Sequence, residues 1–254
     1  MTSRILRFLN IDDGSRQAPP TATGTVLIAL LIAFGAVMCF LSVISLPKYQ
    51  KTIAEDGIIE SLSAVFWALA ATVVSGTLCT AKGKTKYFTG TYVFLLIFFI
   101  VCGGEEMSWG QRIFGFRGPE ALRAINKQHE TNLHNIGSIS LFANAFFFLY
   151  LLCYWYYPRQ TRTGPLAAFA RDNNLPVVTR QAIVIAIITL IIWLLLGVRF
   201  GTLGFSPLSV WGYYPQMDDE VFEVCAAYSY FVVALLDLQA KNAGRLLAFK
   251  VSAR

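Results

Sequence analysis

Charge is scarce in this sequence. Asp, Glu, Lys and Arg make up 14% of 254 residues, where soluble domains carry about a quarter. That scarcity argues against a water-facing globule. Histidine is scarcer still, with only His129 and His134. There is no Cys-x-x-Cys pair, no Gly-x-Ser-x-Gly and no phosphate-binding loop, so the usual signatures of a disulfide framework, a serine hydrolase and a P-loop NTPase are missing. No polar stretch is long enough for a second, soluble domain. The five cysteines, Cys39, Cys79, Cys102, Cys153 and Cys225, lie in or beside apolar blocks, where thiols serve as small apolar fillers.

What is present is apolar residue in long blocks, 56% of the chain in all. A bilayer core takes about 20 apolar residues per helix. The blocks at about 25–46, 58–80, 87–104, 139–157, 181–200 and 219–238 therefore predict six transmembrane helices. Pro47 stops the first and Pro158 the fourth. The expected fold is an all-α, polytopic integral membrane bundle: a polar N-terminal segment 1–24, a six-span domain 25–240 and a basic tail 241–254. The polar start with Pro19-Pro20, and the length of the first apolar block, speak against a cleavable signal peptide.

Basic residues orient the bundle, because short cytoplasmic loops are enriched in Lys and Arg. One set of alternate segments holds 14 of the 21 basic residues, and the other holds seven. Both termini are thus expected in the cytoplasm, which an even number of spans requires. The acids divide oppositely, four inside and 11 outside, and both histidines fall outside. The net charge of +6 then reads as membrane topology. Nucleic acid loses its support as a partner; membrane lipids gain it.

Three acidic clusters mark the outer mouths of spans. Glu55 and Asp56 precede the second span, where carboxylates cap a helix and complement its dipole. Glu60 lies a turn deeper, where desolvation begins to cost. Asp218, Asp219 and Glu220 repeat the capping pattern before the last span, and Glu223 lies within the apolar block. Glu105 and Glu106 differ: they end the third span, where the dipole disfavours negative charge. Adjacent carboxylates also repel. Arg112, a metal ion or a shared proton could compensate them.

Between the third and fourth spans, Pro119 and Glu120 suit the start of a short interfacial helix. Leu122, Ile125 and His129 would share one of its faces, and Asn126, Glu130 and His134 another. Glu130 and His134, four apart, would then have metal-ligand spacing; a structural hydrogen-bond network is the plainer explanation. Glu60, Glu105, Glu106, Glu130, His134, Glu220 and Glu223 come from four segments and reach similar depth on one side. Helical bundles build metal sites from such sets. The carboxylate excess favours Ca²⁺, Mn²⁺ or iron over Zn²⁺. The Glu-x-x-His spacing of di-iron bundles is missing. Trp109, Trp211, Tyr213 and Tyr214 fit an aromatic belt at the outer interface.

Two stretches carry a resemblance: Glu105-Glu106-Met107-Ser108-Trp109-Gly110-Gln111-Arg112, and Asn126-x-Gln128-x-Glu130-x-Asn132-Leu133-His134-Asn135. On these the chain resembles a family of multi-pass bacterial membrane proteins of uncharacterised activity. Glu55-Asp56-Gly57 and Asp218-Asp219-Glu220 fit it more loosely. The resemblance implies the bacterial cytoplasmic (inner) membrane and no particular reaction. Ceramidase-like membrane hydrolases also place acids and histidines among helices, but this chain lacks their paired histidines on the last span.

Two functions follow as expectations. One is a metal-dependent enzyme acting at the outer leaflet on a lipid or lipid-linked substrate, with Glu105, Glu106 and Glu130 as candidate catalytic carboxylates. The other is an accessory subunit of a larger membrane complex, its acids paired with Arg112, Arg123 and basic residues of a partner. A transporter ranks last, because spans 1, 3, 4 and 5 have no ionisable residue near their centres.

Overall fold

The computed structural model describes residues 21–54, 57–81, 84–126, 129–133, 136, 165–176, 179–200 and 219–252. Among them the chain is helical and without strands. Helix α1 covers Ala22–Ile44, α2 Leu46–Thr52, α3 Ile58–Thr80 and α4 Lys86–Glu106. A 3₁₀ turn, Ser108–Gly110, leads into α5, Gln111–Phe114, and α6, Glu120–Ile125. Then come α7, Pro165–Asp172, α8, Arg180–Phe200, and α9, Asp219–Ser252.

Five helices are long and apolar enough to cross a membrane: α1, α3, α4 and, within α8 and α9, Gln181–Phe200 and Glu220–Asn242. The span expected at 139–157 lies outside the described residues. Side-chain oxygens start two of the five: Thr21 accepts from the Gly24 N–H, and Thr85 from that of Phe88. Ser45 breaks the first span (φ −155°, ψ 84°), and Pro47 sits in the first turn of α2, where its missing N–H costs nothing. The last span and the start of the basic segment expected from residue 241 lie on one helix, α9, of 34 residues. Hydropathy marks where the bilayer ends; helix propensity keeps the backbone coiled beyond it.

The helices pack around two cores that share α9. Leu31, Met38, Tyr49, Ile185, Leu196 and Val232 belong to the core formed with α1, α2 and α8. Trp67, Val74, Tyr92, Phe99 and Tyr230 belong to the core formed with α3 and α4. The apolar window of α9 is 78% buried against 17% for α4, so α9 is the central helix. Outward faces are apolar: Phe40 is 62% exposed and Phe94 59%. A surface of that kind suits acyl chains. At the α1–α8 contact, a Cβ on Gly35 would lie 2.4 Å from Ile192 Cδ1, so the missing side chain is what lets the two backbones approach.

Side-chain contacts give the helix directions. The Gln181 side chain bonds to the Thr21 backbone at one end, and Arg199 Nη2 donates to the Ser42 carbonyl (3.0 Å) at the other. Helices α1 and α8 therefore run parallel. Trp67 of α3 meets Phe99 of α4 at 5.8 Å and Tyr230 of α9 at 5.1 Å between ring centroids. One layer on, Val74, Tyr92 and Asp237 line one cavity. So α4 runs antiparallel to α3, and α9 parallel to it.

Candidate functional site

The α3–α4–α9 contact repeats every seven residues. Glu60, Trp67 and Val74 follow one another on α3, Tyr92, Phe99 and Glu106 on α4, and Glu223, Tyr230 and Asp237 on α9. A seven-residue apolar repeat keeps one helix stripe facing its neighbours, and each step advances about 10 Å. The middle layer, Trp67, Phe99 and Tyr230, is a closed triangle of rings, with Phe99 and Tyr230 5.6 Å apart. The same register places Glu60, Glu106 and Glu223 in a layer at one end of the stripe. Glu60 and Glu106 are buried, at 8% and 9% exposure, and Glu223 is half-buried.

Just inside that layer, Ser63 Oγ and Trp67 Nε1 are buried, with no hydrogen-bond partner among the described residues. Each such group carries a desolvation cost of about 1–3 kcal/mol.

Beyond Glu106 the chain folds into a compact polar knot. Ser108, Trp109 and Gly110 are all left-handed, with φ of 46°, 54° and 80°. For the two non-glycine residues this conformation costs about 1–3 kcal/mol each. Specific bonds hold it. Ser108 Oγ donates to Glu130 Oε2. Asn132 Nδ2 donates to Ser108 Oγ (3.0 Å) and to Glu130 Oε2 (2.9 Å). Asn126 Nδ2 reaches Asn132 Oδ1 (2.6 Å) and the Asn132 carbonyl (2.7 Å), while Asn126 Oδ1 accepts from the Glu130 N–H (3.2 Å). The Thr131 N–H donates to Gln111 Oε1 at 2.9 Å. Ser108, Asn126 and Asn132 are wholly or almost wholly buried.

Glu105 is compensated within the same knot. Its Oε1 accepts from Trp109 Nε1 (2.7 Å), and its Oε2 accepts from the Leu133 N–H. Gly104 makes the first bond possible, since a Cβ there would lie 2.9 Å from the Trp109 ring. Neutral N–H donors thus do part of the work for which the sequence suggested Arg112, a metal or a proton. Trp109, read as a belt residue, also has this local task.

The expected helical face of Asn126, Glu130 and His134 does not form. Helix α6 ends at Ile125, Asn126 is extended and His129 has φ 58°, which also removes His129 from the face of Leu122 and Ile125. Asn126 is drawn out of the helix because its amide bonds to residue 132, and local competition of this kind is characteristic of Asn. His134, Glu55, Asp56 and Asp218 lie outside the described residues. Glu220 lies half-buried near the start of α9. Among the described residues, no three His, Cys, Asp or Glu side chains converge as a metal-ligand set.

One polar group escaped the sequence reading. Asp237, counted only as an inner acid, is 2% exposed and accepts from the phenol of Tyr92, itself 1% exposed. Lys241, also buried, lies 2.5 Å from Asp237 Oδ1 and 3.3 Å from the Leu175 carbonyl. The signal was available: Asp237 continues the seven-residue spacing of Glu223 and Tyr230, and Lys241 stands four residues on. No family model, curated protein or solved structure matches this chain.

Proposed function

We propose that this is a six-span protein of the bacterial inner membrane, with both termini cytoplasmic. Its outer end would carry a divalent-cation site acting on a lipid or lipid-linked substrate. The sixth span is supported by helix direction: Thr189 of α8 meets Ser229 of α9 and Trp193 meets Phe222, so α8, like α4, runs antiparallel to α9, and α4 ends at the opposite end of the bundle from where α8 begins. The cation site rests on one observation: Glu60, Glu106 and Glu223 share a layer of the α3–α4–α9 stripe, above two unpartnered polar atoms. Glu220 and His134 are the further donors nearest in sequence and topology.

The roles divide accordingly. Glu105 and Glu130 already accept from fixed N–H and O–H donors, so they serve as positioning residues for the loop. Glu106, in the layer itself, is the better general base. Elemental analysis of detergent-purified protein should find one Ca²⁺, Mn²⁺, iron or Zn²⁺ per chain, lost in Glu60→Gln and Glu106→Gln. No stoichiometric metal, with unchanged thermal stability in chelator, would refute the site.

A second reading, an accessory subunit, is favoured by the outer loop. Ile113, Phe114 and Ile125 are 66%, 77% and 60% exposed, an apolar surface fit for a partner or the membrane interface. Extraction in a mild detergent distinguishes the two. A lone monomer that retains metal supports the enzyme; a stable larger assembly without metal supports the subunit.

A further inference from the structure

Of the five helices long enough to span a membrane, α4 is the least buried. Its exposed apolar stripe, Phe94, Ile97 and Val101, advances by three and four residues. Three residues further on, the stripe reaches Gly104. Gly104 is two residues from the buried Glu106, about 200° round the helix, so it lies on the side turned away from the bundle. The Trp109 ring packs on that glycine and so caps the lipid-facing stripe. The Phe114 ring packs in turn on Gly110, where a Cβ would lie 3.0 Å from it.

The segment that follows α4 is tied back to the end of that helix. Glu105 accepts from Trp109 and from the Leu133 N–H, and Ser108 donates to Glu130. Trp109, Ile113, Phe114, Phe116 and Ile125, all exposed, are therefore held at the level where the spanning helix ends. Charge adds to this. Residues 107–127 hold Arg112, Arg117, Arg123 and Lys127 against one acid, Glu120, the reverse of the acidic helix mouths. Arg117 is exposed and Arg123 half-buried. Among the described residues, neither forms an ion pair with a carboxylate. A guanidinium offers a planar fork of donors that matches phosphate. Apolar and cationic side chains together, at the end of a span, complement a headgroup layer that contains anionic phospholipid. Continuity with the α4 stripe assigns the surface to lipid rather than to a second protein.

We propose that residues 107–127 form an in-plane anchor that binds anionic phospholipid. Its apolar side chains enter the acyl boundary, and Arg117 and Arg123 take lipid phosphates. The anchor does not depend on a metal in the carboxylate layer.

The test uses the full chain carrying Phe114→Trp, reconstituted in vesicles of phosphatidylcholine and phosphatidylglycerol in equal shares. Trp at this exposed position adds fluorescence, read as the difference from the parent protein. Lipid brominated in the acyl chains should quench the added signal, and aqueous iodide should not. Brominated phosphatidylglycerol should be preferred over brominated phosphatidylcholine by about threefold, a preference that falls to parity when Arg117→Gln and Arg123→Gln are added. Ile113→Trp, at a second exposed position, replaces the first variant if that one does not fold. Arg117→Gln alone, at an exposed side chain, replaces the double charge variant in the same way and should lower the preference. Quenching by iodide alone places the loop in water and overturns the proposal. Shielding from both quenchers places a second copy of the chain over the loop and overturns it too. So does acyl-chain quenching without headgroup preference, or a preference that the folded charge variants leave intact.

Discussion

Asn132→Ala is expected to open the loop that follows α4. The side chain is fully buried and serves both directions of the knot. It donates to Ser108 Oγ and Glu130 Oε2 and accepts from Asn126. Without it, the half-buried Glu130 carboxylate loses a donor and the Asn126 amide loses one of its two acceptors, keeping the Asn132 carbonyl. Each loss costs about 1–3 kcal/mol, with the charged group at the upper end. Together about 3–5 kcal/mol is removed from a segment that also carries the backbone strain of Ser108 and Trp109. The loss should be local, because the loop can open without unfolding the helices.

Limited proteolysis and hydrogen exchange over residues 107–133 read this directly. Cleavage and exchange should accelerate by two orders of magnitude or more, with little change in the melting of the bundle. Equal protection in the variant would show that Asn132 does not hold the loop. Glu130→Gln should be milder, about 1 kcal/mol, because the amide oxygen still accepts from Ser108 and Asn132. If that variant keeps the loop closed yet loses metal or activity, Glu130 has a chemical role beyond the knot.

Asp237→Ala should be the most damaging single change inside the bundle. It leaves the Lys241 ammonium buried without its carboxylate, which costs about 3–5 kcal/mol in buried pairs. The Leu175 carbonyl at 3.3 Å and the Tyr92 ring recover part of that. Asp237→Ala with Lys241→Met should regain most of the stability, since removing both charges removes the desolvation penalty with the attraction. Thermal unfolding of the four proteins of this cycle in detergent measures the coupling. A double variant whose loss equals the sum of the two single losses would mean that the pair contributes nothing.

Much of the helical framework was legible because the bilayer imposes it. The second span, expected at 58–80, is α3, Ile58–Thr80, and the third, expected at 87–104, is α4, Lys86–Glu106. An apolar run of that length has no other way to satisfy its backbone in lipid. The loop was not legible in the same way. Its partners are far apart in sequence, 22 residues for Ser108 and Glu130 and 28 for Glu105 and Leu133. No local periodicity reports such pairs, and the 3.6-residue pattern through 126–134 pointed to a helix that side-chain bonding prevents.

The acids at the end of the third span were singled out because a helix C-terminus repels them. That much followed from sequence order alone: long apolar runs, the dipole and the placement of charge. Which carboxylate answers to which partner depended on tertiary structure. Adjacent Glu105 and Glu106 diverge, one taken up by Trp109 and Leu133 in the loop, the other buried in a layer with Glu60 and Glu223. The physical reason is that hydropathy and helix dipoles act along the chain, whereas hydrogen bonds and burial act between segments. Only the packing of α3, α4 and α9 brought the seven-residue rows into register, and with them the aromatic triangle and the buried pair of Asp237 and Lys241.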